Sequence, residues 1–452
     1  MRTAAGANAT ATQTGKPVDE LLPRVFALLF GLLLGVSLLK FGNPVVMEKF
    51  VEQPTNFYEW LFNNWPAVYG YGLLAAVGGL GLFTMRLRKD LPWLLVVLPL
   101  IWLLWQFVAA TQTIDVALTR GTLRHFTACV ACFYLGLLAL SRSKNLELFS
   151  LGLLAGFSLV LVAGFQQRFG GLEETRRYFY LYVYPLHQFP PGYLKKIATN
   201  RIFGTLFYAN TLAGVILMLL PLTLAMVWSQ RERLTVGARS FLMGAAGLAA
   251  LACLFWSGSK GGWLLMLVIG FIGALFLRFP RRLKITMVAG VLILGLAGFA
   301  WKNSGYFKRG ATSVVARFDY WQAAVQTCKE KPMFGSGPGT FGLAYEKIKK
   351  PESEMARMTH NDYLEQASDS GLIGFLSFTG FVAAGLIFTY RKSGLKQNGM
   401  KLAVWLGLLG WALQSLVEFG LYIPAMAWPA FCLLGWLLGQ TSNQIDSRQR
   451  MG

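Results

Sequence analysis

Along the chain, long apolar runs are separated by short polar breaks, and the runs recur at one characteristic length. Stretches of about 17 to 21 mainly apolar residues, long enough as helices to cross roughly 30 Å of hydrocarbon, lie at 24–41, 66–85, 91–110, 124–141, 147–165, 203–228, 239–256, 261–278, 284–301, 371–390, 401–418 and 423–439. The expected fold class is an all-α polytopic membrane protein of about 12 transmembrane helices. The longest interval without such a run, 302–370, is read as a large, partly helical loop between helices 9 and 10. A second polar interval, 166–202, separates helices 5 and 6.

Composition agrees with this pattern. The chain is 55% hydrophobic and only 14% charged, whereas a soluble domain carries about a quarter charged residues. Its 42 Lys and Arg outnumber 21 Asp and Glu, giving a net charge of +21. In a membrane protein such an excess points to cytoplasmic anchoring and contact with anionic membrane lipids, and no nucleic acid is expected as a partner. The basic residues gather after even-numbered runs, at Arg86, Arg88 and Lys89, at Arg142 and Lys144, at Arg231, Arg233 and Arg239, at Arg278, Arg281, Arg282 and Lys284, and at Arg391, Lys392, Lys396 and Lys401. The positive-inside rule puts these breaks and both termini in the cytoplasm. Residues 1–20 lack the short apolar core and cleavage site of a signal peptide, which also keeps the amino terminus inside. The expected organisation is a cytoplasmic tail at 1–23, helices 1–9 within 24–301, an outer catalytic loop at 302–370, helices 10–12 within 371–440, and a cytoplasmic tail at 441–452.

Cations that lie outside against this bias are expected to bind something. In 166–202, Arg168, Arg176, Arg177, Lys195 and Lys196 alternate with Tyr178, Tyr180, Tyr182, Tyr184 and Tyr193. Aromatic faces beside guanidinium groups suit sugar rings and phosphates, and a segment lying on the outer leaflet has the same composition. Arg120, Arg124 and His125, placed in the loop before helix 4, fit either snorkelling or anion binding. Arg201, with Asn210 nine residues on, stands where a span meets the outer interface and could clamp a diphosphate. Ser257-Gly-Ser259-Lys260 is a tight outward turn whose amides and ammonium make a compact anion site.

The glycines at 335, 337 and 339 have no Gly-Lys-Ser/Thr ending, so a nucleotide loop is rejected and a hinge that closes over substrate is expected. His360, one of three histidines, is followed by Asn361, Asp362, Tyr363 and Glu365; its ring could serve as a general base or as a structural group. No second histidine stands at metal-ligand spacing, so neither a metal nor a cofactor is expected. The five cysteines give no disulfide framework, and Cys129 and Cys132 read as small core residues. Glu418 fits two roles, partner to an arginine of the site or end of a span.

Taken together, Arg201-x-x-Gly204 with Asn210, the Ser-x-Ser-Lys260 turn, Arg317 four residues before Trp321, Pro332-x-x-Gly-x-Gly-x-Gly339-x-Phe341, His360-Asn361-x-Tyr363-Leu364 and Gly371-Leu-Ile-Gly374 resemble the O-antigen ligase family of bacterial envelope glycosyltransferases. The resemblance covers the chain from about the fifth helix to the tenth. It implies a metal-independent, inverting enzyme on the periplasmic side of the inner membrane, which moves a glycan from undecaprenyl diphosphate to lipid A core. On that implication Arg201 and Lys260 hold the diphosphate, Arg317 binds substrate phosphate, and His360 activates the acceptor hydroxyl or orients the site. Arg168, Asn210, Ser259, Asn361 and Tyr363 complete the expected substrate contacts. Lys260 departs from the arginine more usual there, keeping the charge without the bidentate fork. Relatives that polymerise O-antigen or glycosylate proteins share the donor. An anion transporter, the alternative of a different class, would need ionisable groups near the bilayer midplane.

Overall fold

The computed structural model describes residues 17–85, 91–142, 146–186, 194, 197–277, 279–308 and 312–441. Arg86, Arg88, Lys89, Lys144, Tyr193, Lys195, Lys196 and Arg278, with both expected tails beyond 17–23 and Thr441, lie outside the described residues.

Among the described residues the secondary structure is helical throughout. The helices are α1 (Pro17–Lys40), α2 (Phe57–Phe62), α3 (Ala67–Leu82), α4 (Trp93–Ala109), α5 (Val116–Tyr134), α6 (Leu146–Gln166), α7 (Leu172–Tyr178), α8 (Ala209–Ser229), α9 (Val236–Ser257), α10 (Lys260–Phe276), α11 (Arg281–Lys308), α12 (Thr312–Glu330), α13 (Phe341–Ile348), α14 (Asp362–Lys392), α15 (Gly399–Gln414) and α16 (Pro424–Gly439). Each of the twelve expected runs falls on one of the longer helices. Eight helical segments among the described residues are long and apolar enough to cross a membrane by themselves, and α3, α10 and α16 are shorter apolar helices.

Two boundaries differ from expectation. The fourth run begins at Val116, where Asp115 caps the helix by accepting from the Leu118 amide at 2.8 Å. Arg120, Arg124 and His125 therefore belong to α5, not to a loop, and His125 is fully buried. The charges that read as a break lie within a capped helix. The tenth run begins at Asp362, so the residues after His360 form a helical turn of their own, and α14 breaks at Ser370 and Gly371 before continuing.

Side-chain packing, not an aqueous hydrophobic effect, holds helices together in lipid, so small residues mark the closest approaches. Along the α1–α6 contact a Cβ on Gly156 would stand 2.4 Å from the Gly35 carbonyl oxygen. At the centre is α16, entered through Pro424 and buried along its whole length. Its Trp428 ring meets Phe41, just after α1, and His125 of α5. Four cysteines, Cys129, Cys132, Cys253 and Cys432, are free and buried, as core residues should be.

Outside this bundle, Tyr320, Ala323, Ala324, Phe341, Tyr345 and Ala356 form a small second core joining α12 to α13. The glycine segment beneath it is no hinge. Gly335, Gly337 and Gly339 take φ of 62°, 108° and 80°, and the stretch from Gly335 to Phe341 is buried. The Asp369 carboxylate accepts from the Gly339 amide at 2.7 Å and the Phe341 amide at 3.0 Å. The Ser336 and Gly337 amides donate to the carbonyls of Ser368 and Asp369, each at 2.9 Å. Expected flexibility is replaced by a clamp, because positive φ permits a tight fold as readily as a mobile one. Gly339→Ala places a Cβ 2.2 Å from Thr122 Oγ1 at a left-handed backbone, so the variant should lose roughly 2 kcal/mol or more of stability. A thermal melt in detergent checks this, and an unchanged midpoint counts against the clamp.

Candidate functional site

The site forms where three breaks in the bundle meet: the turn between α9 and α10, the turn before α14, and the segment between α15 and α16. Glu418 lies in the last of these, 8% exposed. Its segment is pinned from two sides. Asp362 accepts from the Leu421 amide at 2.9 Å, and His125 Nε2 bonds the Leu421 carbonyl oxygen at 2.7 Å. The Asp362 amide in turn donates to the Ser415 carbonyl at 2.8 Å.

Three candidate residues converge on this one carboxylate, and a fourth joins through one of them. Arg317 Nη2 donates to Glu418 Oε1 in a close ion pair. Asn210 Nδ2 donates to the same oxygen, while the Asn210 carbonyl accepts from Gln414 Nε2 at 2.7 Å. His360 Nδ1 lies 3.1 Å from Glu418 Oε2. Arg201 joins through Asn210, its Nη2 donating to Asn210 Oδ1 at 2.6 Å and its Nε to the Ser257 carbonyl at 2.7 Å. Lys260 lies within electrostatic reach of Arg201 and Arg317. Cations thus outnumber the carboxylate at the centre of this cluster, the balance a bound anion would correct.

His360 sits at the apex of a tight turn with a φ of 53°, the positive-φ residue other than glycine among those described. Histidine tolerates that region better than most residues, yet holding it there requires support from both sides. Glu365 supplies one side, accepting from the Thr359 amide and hydroxyl at 3.0 Å each. Asn361 supplies the other as the cap of α14, accepting from the Tyr363 and Leu364 amides. The imidazole stands among Tyr208, Tyr320 and Phe419, with ring centroids 6.2, 6.0 and 4.8 Å away. Burial, followed by the Glu418 charge, raises the Tyr208 hydroxyl pKa. Burial, followed by Glu354, raises that of Tyr320. Both phenols stay neutral near pH 7, and the imidazole's hydrogen-bond partner is the Glu418 carboxyl group.

The structure thus brings together Arg201, Asn210, Arg317 and His360, with Lys260 beside them. Other candidates are placed differently. Ser259 caps α10, accepting from the Gly262 amide at 3.2 Å. Tyr363 turns into the bundle and donates to the Ala412 carbonyl at 2.9 Å. Arg168 lies over the Trp256 ring, 5.8 Å from its centre, next to the residue whose carbonyl holds Arg201. Arg176 donates to the Thr199 carbonyl and Asn200 Oδ1 at 2.7 Å each, fixing the chain that leads into Arg201. Tyr208, Tyr320 and Phe419 had no assigned role in the sequence reading, and Glu418 takes the first of its two expected roles, partner to an arginine of the cluster. The available signal was an acid at the outer end of an apolar run, followed by Gly420 and Pro424.

A bundle of apolar helices carrying a cationic, histidine-containing cluster at one end has the build of a multi-pass membrane protein. Residues 245–379 match the family model described as O-Antigen ligase. That match bears out the resemblance read from the motifs, over the part of the chain that it spans. Ser259, Lys260, Arg317, His360, Asn361 and Tyr363 fall inside the matched residues; Arg168, Arg201, Asn210 and Glu418 fall outside them. The chain is also 29% identical over 178 residues to an uncharacterized protein of Haemophilus influenzae. That match covers 34% of this chain and 44% of the relative, so the chain matches less than half of the relative's length.

Proposed function

We propose that this protein is a glycosyltransferase of the O-antigen ligase kind. It crosses the inner membrane with twelve helices, keeps its termini in the cytoplasm, and works on the periplasmic side. Its donor is a glycan on undecaprenyl diphosphate, its acceptor a sugar hydroxyl of lipid A core, and its reaction is inverting and independent of metal. The observation that carries the reading is the convergence of Arg317, Asn210 and His360 on Glu418, with Arg201 and Lys260 alongside.

The chemistry follows from that arrangement. Glu418 holds the Nδ1 side of His360, leaving Nε2 to accept the proton of the attacking hydroxyl. The acceptor oxygen forms a bond to the anomeric carbon as the bond from that carbon to the diphosphate oxygen breaks. The leaving diphosphate gains the electron pair, and fixed cations in a site poor in water stabilise it. Arg201 and Lys260 bind the diphosphate, and Arg317 meets substrate phosphate. Asn210 holds Arg201 in place. Asn361 and Tyr363 position the His360 turn, and Ser259 and Arg168 support the turn beside Lys260.

The test is glycan transfer by the purified protein in detergent, from undecaprenyl diphosphate glycan to lipid A core, with EDTA present. His360→Ala, Arg201→Ala and Arg317→Ala should each lower turnover by about 10²-fold or more. Chain extension or protein glycosylation in place of transfer to lipid A core would move the activity to a sibling reaction on the same donor. Loss of transfer with EDTA would remove the metal-independent mechanism.

A further inference from the structure

One cation near the site has no part in this mechanism. Lys302 lies near the outer end of α11, and its ammonium donates to the Phe255 carbonyl oxygen in the last turn of α9. It also stands 3.2 Å from the centre of the Phe255 ring. The charges acting on it are those of Arg201 and Lys260. Three cations therefore ring one short break in the bundle: Lys302 is tethered at Phe255, Arg201 at Ser257, and Lys260 opens α10. Bringing like charges together is unfavourable unless an anion joins them.

The helix that carries Lys302 is otherwise loosely held. The apolar window of α11 has none of its residues buried. Its ties to α10 include the Trp263 indole, which donates to the Gly295 carbonyl at 3.1 Å. At the opposite end of α11, Lys284 makes the same kind of bond to the Leu275 carbonyl at 3.1 Å. Capping a neighbouring helix's last carbonyls is a common use of lysine. What sets Lys302 apart is the pair of cations beside it.

We propose that Lys302 is a third ligand of the diphosphate, and that it matches the charge which appears when the sugar leaves. A glycan-linked lipid diphosphate is a diester with one negative charge on each phosphate. Transfer frees an additional oxygen, and the lipid diphosphate product carries one charge more. Arg317 shares its charge with Glu418, whereas Arg201, Lys260 and Lys302 stand together at the break between α9 and α10, where the mechanism above places the diphosphate. A cation whose attraction grows along the reaction lowers the barrier, not only the dissociation constant.

This inference rests on the lipid-diphosphate donor proposed above, and binding tests it without turnover. Undecaprenyl diphosphate and undecaprenyl phosphate would be titrated separately onto the full-length protein in detergent. Lys302→Ala should weaken the diphosphate about tenfold and the monophosphate by less than about threefold, with Lys302→Arg restoring most of the loss. Lys284→Ala should change neither. Should Lys302→Ala not fold, Lys302→Gln carries the same expectation and keeps a donor for the Phe255 carbonyl. Equal losses for both lipids, or none, would overturn the assignment. If Arg201→Ala and Lys260→Ala weaken the diphosphate while Lys302→Ala does not, this inference alone fails. If none of the three weakens it, the donor reading fails as well.

Discussion

Glu418→Ala should lower transfer by about 10²- to 10³-fold while the protein still folds, because the change strips an orienting partner from the general base and unpairs Arg317 at once. Without Glu418 Oε2, which lies 3.1 Å from His360 Nδ1, the ring is free to rotate and no carboxylate stabilises the imidazolium. Without Oε1, Arg317 and Asn210 lose their shared acceptor. Glu418→Gln keeps the shape but not the charge, so its activity should fall between wild type and alanine. Residues that act as a unit are non-additive, so Glu418→Ala with His360→Ala should be little worse than His360→Ala alone. Turnover numbers for wild type and the four variants, with melting temperatures to show folding, check this. Independent, multiplying losses would mean that the two residues do not share a role.

Much of this architecture was legible because a bilayer leaves few alternatives. Backbone polar groups in hydrocarbon must be satisfied internally, so apolar runs of membrane length become helices, and each expected run did. Arg201 and His360 were legible as chemistry because one is a cation where a span meets the outer interface and the other is one of three histidines, whereas Arg317 was legible only through the family resemblance. Glu418 was visible but left open between partnering an arginine and ending a span. Its partners lie 58, 101 and 208 residues away, and local spacing carries no record of contacts at that range. Asn361 and Tyr363 show the reverse difficulty, since a polar neighbour of a histidine looks the same whether it meets substrate or caps a helix. The helix start at Asp362 decides between these uses for Asn361, and it was hidden by charges that read as loop.

The glycine segment was misread for a related reason, and the residue that corrects it carries the largest expected effect on stability. Asp369→Ala should destabilise the protein by about 3–5 kcal/mol, since three buried donors lose their acceptor and each unsatisfied group costs roughly 1–3 kcal/mol. Those donors are the Gly339 and Phe341 amides and the Tyr422 hydroxyl, the last at 2.7 Å. Asp369→Asn retains one carboxyl-like oxygen but turns an amine toward a donor, so it should lose less than alanine and more than wild type. The effect should extend beyond the loop. Tyr422 follows Leu421, whose amide and carbonyl are the anchors of the segment carrying Glu418, and Phe341 packs on Tyr345, which meets Tyr320 beside His360. Loosening Asp369 therefore loosens both Glu418 and the aromatic wall of His360, and transfer should fall at temperatures where the variant remains folded. Melting in detergent and limited proteolysis across 335–341 measure the first effect, and turnover well below the midpoint measures the second. A variant that melts early but transfers normally would confine Asp369 to the fold, whereas unchanged melting would restore the hinge.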